Sequence, residues 1–101
     1  MDVDFTWEMV TNATNNDPAL VEIVIKTARA LGLQTAPSLL NMGGEDFALY
    51  QKKIPGVFWT IGVGSPEGHH HPGFIANPAP LSSAAELFAA IARDSLARLS
   101  R

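Results

Sequence analysis

The chain has 101 residues, 47% apolar and 17% charged, with a formal net charge of −3. That is enough apolar content for one small domain, or a piece of a larger one, and too much for a disordered segment. The acidic balance, with no basic run to neutralise phosphates, excludes nucleic acid as a partner, and the absence of cysteine excludes both a disulfide framework and a thiolate metal site.

The opening Met1-Asp2-Val3-Asp4 carries acids where a secretory leader would be basic, and no apolar run approaches the roughly 20 residues of a membrane span. The expectation is a cytoplasmic protein with no membrane partner. The sequon at Asn12-Ala13-Thr14 then has no secretory context.

Residues 2–9 alternate polar and apolar, with Val3, Phe5, Trp7 and Met9 on one side. Period two predicts a strand with one wet and one dry face. The small polar run Thr11-Asn12-Ala13-Thr14-Asn15-Asn16 reads as a linker or crossover. A helix follows, capped by Asn16 or Asp17, with Pro18 at its first position. Leu20, Val21, Val24, Ala28 and Leu31 form its apolar face, widened by Ile23 and Ile25. Glu22 and Lys26 are spaced to pair, and Gly32 takes the role just past the C-terminus.

Residues 33–40, broken by Pro37, predict a short strand at an end or edge. Gly43 and Gly44 permit close backbone approach. Glu45 and Asp46 then suit the first turn of a helix over 45–52, where the dipole favours acids. Pro55-Gly56 turns the chain into the most apolar run, 57–63, read as a central strand buried on both faces. A last helix is expected from Ser83, where Ser83 and Glu86 form a capping box. Its apolar face would be Leu87, Phe88, Ile91, Leu96 and Leu99, with Arg93, Arg98 and Arg101 toward its negative end. The order strand, helix, strand, helix, strand, helix is that of an α/β chain.

Three consecutive histidines, His69, His70 and His71, lie in the Gly/Pro-rich loop after the 57–63 run. Neutral imidazole is a preferred ligand for zinc and related divalent ions. Neighbouring side chains diverge in an extended chain, so one histidine, or an i,i+2 pair, is what such a loop contributes. A polar surface loop without function is the plainer alternative. Glu45 and Asp46 could ligate metal, orient a histidine or act as a base, or could simply complement a helix dipole. No nucleophile elbow and no His-Glu-x-x-His helix is present.

Asn16-Asp17-Pro18-Ala19-Leu20, Met42-Gly43-Gly44-Glu45-Asp46-Phe47-Ala48 and His70-His71-Pro72-Gly73-Phe74, in this order, resemble the C-terminal part of the M20 metallopeptidase family. The likeness is to its amidohydrolase branch, which includes hippurate hydrolases, N-acyl-amino-acid deacylases and auxin-conjugate hydrolases. Pro55-Gly56-Val57-Phe58 and Ile61-Gly62 match the same stretch.

The resemblance implies a partial three-layer α/β catalytic domain over 13–101, preceded at 1–12 by the last strand of a lid or dimerisation domain. It implies two divalent metal ions, zinc or manganese, activating water against the amide of an N-acyl amino acid or small peptide. His70 would be the metal ligand of a His-x-Pro-x-Phe motif, with His71 as the variable residue. Gly43, Gly44, Glu45, Asp46 and His71 would support the cleft. The Cys-His pair, further His and Glu that the family draws from its N-terminal half have no counterpart here. The chain is therefore expected to be a segment that needs the missing N-terminal half of the same enzyme and does not hydrolyse amides alone. A homo-oligomer is expected. The alternatives are an inactive self-associating or binding module, and a small metal-binding protein using His69 with His71.

Overall fold

A computed structural model describes residues 1–9, 12–38 and 43–100. Three helices carry the fold: α1 (Pro18–Ala30), α2 (Phe47–Gln51) and α3 (Ala79–Leu99). No strand is formed among the described residues.

Both ends of α1 follow from sequence. Asp17 is the cap, its Oδ1 accepting the Leu20 N–H at 3.1 Å, and Pro18 occupies the first turn, where its missing N–H costs nothing. At the other end Gly32 has φ 77°, a conformation that penalises any Cβ. The Gly32 N–H donates to the Arg29 carbonyl at 3.0 Å and the Leu33 N–H to the Ala28 carbonyl at 3.0 Å. This paired closure satisfies two carbonyls the helix would leave open. Glu22 and Lys26, spaced to pair, form no ion pair.

α1 packs on α3. The residues buried on the two helices are mostly small, with Ala28 at 4% exposure and Ala90 at 7%, beside Leu87 at 5%. Thr27 is equally buried, and its hydroxyl donates to Asp94 Oδ2 at 2.5 Å. A buried hydroxyl without a partner costs about 1–3 kcal/mol, so this bond fixes the register of the two helices. Arg98 adds a bond from its guanidinium to the Ala19 carbonyl at 3.2 Å.

The structure corrects several expectations. α3 begins at Ala79, so Ser83 lies inside it and forms no capping box with Glu86. The start is set instead by Asn77, whose Oδ1 accepts the Ala79 N–H at 3.0 Å, and Pro80 is tolerated because first-turn N–H groups lack helical partners. The buried stripe of α3 runs through Ser83, Ala84, Leu87, Ala90 and Ile91, while Phe88, Leu96 and Leu99 stay exposed. α2 spans five residues, shorter than the expected 45–52, and leaves Glu45 and Asp46 ahead of its first turn.

Residues 2–9 gain neither a wet nor a dry face. Val3, Phe5, Trp7 and Met9 are 76%, 81%, 69% and 61% exposed. A strand needs a neighbour for its backbone groups, and none of the described residues provides one. The short strand expected at 33–40 is not formed over 33–38, and Leu39 and Leu40 lie outside the described residues. Across 57–63 the odd positions are half-buried, whereas Phe58, Thr60 and Gly62 are exposed. The run is therefore covered on one face, not two.

The chain is open in shape. Its radius of gyration is 17.2 Å, against roughly 13 Å for a compact domain of this length. It exposes 8745 Å², where a folded monomer of its mass exposes roughly 5,500 Å².

In place of a neighbouring strand, Asn16 pairs with the 57–63 run. Its Nδ2 donates to the Phe58 carbonyl at 3.0 Å, and its Oδ1 accepts the Phe58 N–H at 2.8 Å. Gln51 Nε2 donates to the same Oδ1 and to the Gly56 carbonyl, each at 3.1 Å, while Gln51 Oε1 accepts the Asn15 N–H at 2.9 Å. At about 1 kcal/mol per bond, less where solvent competes, Asn16→Ala should cost about 2 kcal/mol. Urea unfolding followed by Trp59 fluorescence measures this, and a loss under about 0.5 kcal/mol would contradict the pairing.

Candidate functional site

The loop that carries the histidines is closed at its base. The Asn77 N–H donates to the Val63 carbonyl at 2.8 Å, so the end of the 57–63 run and the start of α3 meet. A compact surface loop whose ends touch is packed by its own side chains. Ser65 supplies the inner tie: its Oγ accepts the N–H of Glu67 and of Ile75, both at 3.3 Å. Phe74 is half-buried and meets the His69 ring edge-on, with centroids 5.5 Å apart.

The three histidines have three different settings. His69 packs on Phe74. His71 accepts the Gly73 N–H at its Nδ1, 2.9 Å away, and its Nε2 stands 3.6 Å from Glu67 Oε2. His70 is exposed and has φ 67°, a left-handed conformation uncommon for a side chain with a Cβ.

The acids expected near this loop are not gathered with it into a ligand set. Glu45 is half-buried, and its Oε1 accepts the Phe47 N–H at 3.4 Å. Asp46 precedes α2 without a side-chain capping bond. Gly43 and Gly44 are exposed in the segment leading to it. Phe47 then turns back onto the 57–63 run, its ring 5.8 Å from that of Phe58 and 6.0 Å from that of Tyr50. Ala48, buried at 2% exposure, anchors α2 beneath them.

These donors fit a divalent ion in kind but not in number. The imidazole of His70 suits such an ion in type and in access. In number the donors fall short, because no group of three or more His, Asp or Glu that could hold an ion exists among the described residues. Among the described residues, then, no complete metal site is assembled around the histidine loop.

A polar hollow of about 510 Å³ opens elsewhere, between Asn15-Asn16-Asp17-Pro18 and the 51–56 segment. No histidine lines it. Its walls are the Asn16 and Gln51 amides that stitch the fold, which makes it a by-product of that stitching. Sequence reading missed Gln51 and Ser65. The Ser65 tie has a readable signal, since a Ser just after Gly64 is a turn residue whose hydroxyl bonds backbone N–H groups two residues on.

The chain belongs to peptidase family M20/M25/M40, whose sequence profile matches residues 1–94. It is 38% identical over 89 residues to the N-acetylcysteine deacetylase of Bacillus subtilis (strain 168), covering 88% of this chain and 23% of that protein. A putative amidohydrolase, YhaA, of the same organism is 34% identical over 96 residues, covering 88% of this chain and 24% of that protein. Among solved structures, the Bacillus subtilis YXEP protein, described as a dinuclear metal binding peptidase from the M20 family, superposes with a TM-score of 0.73. The identity there is 42%, over 76% of this chain and 21% of that one. The chain therefore spans about a quarter of the length of the relatives it matches. Likeness at this level is consistent with the α/β class expected from the sequence. Among the described residues no helix is long and apolar enough to cross a membrane.

Ser65→Ala should leave the Val63–Asn77 closure intact and loosen the loop above it. The Ile75 amide should exchange with solvent roughly fivefold faster, the equivalent of about 1 kcal/mol. Unchanged exchange in NMR-detected deuteration would show that Ser65 does not hold the loop.

Proposed function

We propose that this chain is the C-terminal segment of a metal-dependent amidohydrolase, and that it contributes His70 as one metal ligand. One observation carries the reading. The His70 imidazole is exposed at a left-handed corner of a loop tied at its base, immediately after the central extended run. In open α/β sheets functional crevices lie beyond the carboxyl ends of the strands, which is where this loop stands relative to 57–63. The printed names of the relatives support the activity, and the description of the YXEP protein supports a two-metal site.

The substrate class on this reading is an N-acyl amino acid or small peptide, cleaved at its amide in the cytoplasm. Two divalent ions, zinc or manganese, would supply Lewis acidity toward the carbonyl and an activated water. The chain's own residues hold and orient. Ser65 and the Val63–Asn77 closure fix the loop, His70 projects from it, and Gly43, Gly44, Glu45, Asp46 and His71 support the cleft. The remaining donors come from the N-terminal half of the same enzyme, and residues 1–12 belong to its lid. In the parent-length enzyme His70→Ala should lower metal content and amide hydrolysis by roughly 100-fold or more, since even residues behind the ligands are worth 10–100-fold. Metal analysis and hydrolysis of an N-acetyl amino acid read the effect, and wild-type values for both would refute the assignment.

The exposed Val3, Phe5, Trp7 and Met9 and the surplus of surface favour a second reading, in which the 101-residue chain is an inactive self-associating module. Unpaired extended segments invite association with other chains. Size-exclusion mass with metal analysis separates the two: the module should run as an oligomer without stoichiometric metal. A monomer that binds two ions tightly would contradict both readings.

A further inference from the structure

Among the described residues, His70 is the one non-glycine residue with positive φ. That conformation costs roughly 1–2 kcal/mol for a residue with a Cβ, so it persists only where the surroundings impose it. The imposing contacts are made by its neighbours. The His71 N–H donates to the Gly68 carbonyl at 3.3 Å, and the Phe74 N–H donates to the His71 carbonyl at 3.0 Å. His69 is held edge-on against Phe74. The histidines on either side are thus tied to the turn over 73–74, while the His70 ring has no partner among the described residues.

The bond that closes this arrangement is the one from the Gly73 N–H to His71 Nδ1, at 2.9 Å. An accepting Nδ1 has a free lone pair, so the neutral ring carries its proton on Nε2. Glu67 Oε2 faces that nitrogen at 3.6 Å, too far for a hydrogen bond but close enough to favour the same orientation. The site at 73 is matched to the ring: a Cβ there would stand 3.1 Å from His71 Nδ1 and 3.3 Å from its Cε1. A side chain at 73 would force the imidazole to give by a few tenths of an ångström beside the amide it caps.

We propose that His71 is a positioning residue, whose Nδ1 takes the Gly73 N–H and so locks His70 in its left-handed conformation with the imidazole free for a ligand. The functional sense of this rests on His70 as a metal ligand. The physical claim concerns only the backbone at 70 and the side chain at 71.

The tests use the full chain. His71→Leu keeps bulk and removes the acceptor, while His71→Asn places Oδ1 where Nδ1 stood. In NMR, the wild type and His71→Asn should show the strong intraresidue amide–Hα contact and Cα–Hα coupling of a left-handed residue at 70. His71→Leu should lose them with helix content unchanged. Zn²⁺ alone, titrated by calorimetry, should bind roughly tenfold more weakly to His71→Leu and recover in His71→Asn. A left-handed signature that survives in His71→Leu overturns the proposal, as does loss of the signature in His71→Asn. A Zn²⁺ titration unchanged by His70→Ala overturns the ligand reading instead, so the two failures are told apart by separate measurements.

Discussion

Backbone N–H and C=O groups must find partners, and in this chain side chains supply what strands usually supply. The 57–63 run is sequence-coded for a sheet interior, yet no strand lies beside it among the described residues. The Asn16 carboxamide meets both polar groups of Phe58, as a neighbouring strand would. Gln51 extends the same stitch to Gly56 and Asn15, which ties the start of α1 to the end of α2. Everything downstream, from the aromatic cluster of Phe47, Phe58 and Tyr50 to the histidine loop, is placed by where this run is held.

The helices answer to a different constraint. Where α1 and α3 pack, each buries a small residue, Ala28 on one and Ala90 on the other, and the buried Thr27 bonds the more exposed Asp94 across the two helices. Small residues permit close approach but do not specify a register, because alanine slides on alanine with little penalty. The hydroxyl-to-carboxylate bond supplies the specificity. Large apolar side chains such as Phe88 and Leu96 are left facing solvent, so this pair of helices does not exhaust the chain's apolar surface.

What could be read from sequence divides along these physical lines. The limits of α1 were legible because Asp17, Pro18 and Gly32 act locally, through the backbone groups next to them. The start of α3 was misplaced because Ser83 and Glu86 mimic a cap, while the signal used, Asn77, lies before two prolines. At 2–9 and 57–63 the sequence carries strand patterns, but no strand forms there. Strand formation is a property of pairs, and a single segment does not state whether its partner is present. The histidine loop stood out as a candidate from residue type and its position after the apolar run. The distinction among its three members did not, since it depends on a ring nitrogen capping an amide two residues on. Gln51 escaped because an isolated polar residue outside a motif carries no pattern, whereas Ser65, next to Gly64, carried a turn signal that the reading did not use.

The closure between Val63 and Asn77 has one more consequence, for chain length. Once the ends of a loop are joined, lengthening the segment between them costs little: doubling it adds roughly 0.6 kcal/mol of closure entropy. Residues added around Pro66 and Glu67 would loosen the bond from the Glu67 N–H to Ser65 Oγ but leave the Val63–Asn77 bond in place. The same insertion between Gly73 and Asn77 would shift the amides that grip the loop. Variation in the size of this crest is thus mechanically separable from the anchorage beneath it, which leaves the reach of the loop free to change while its root stays in place.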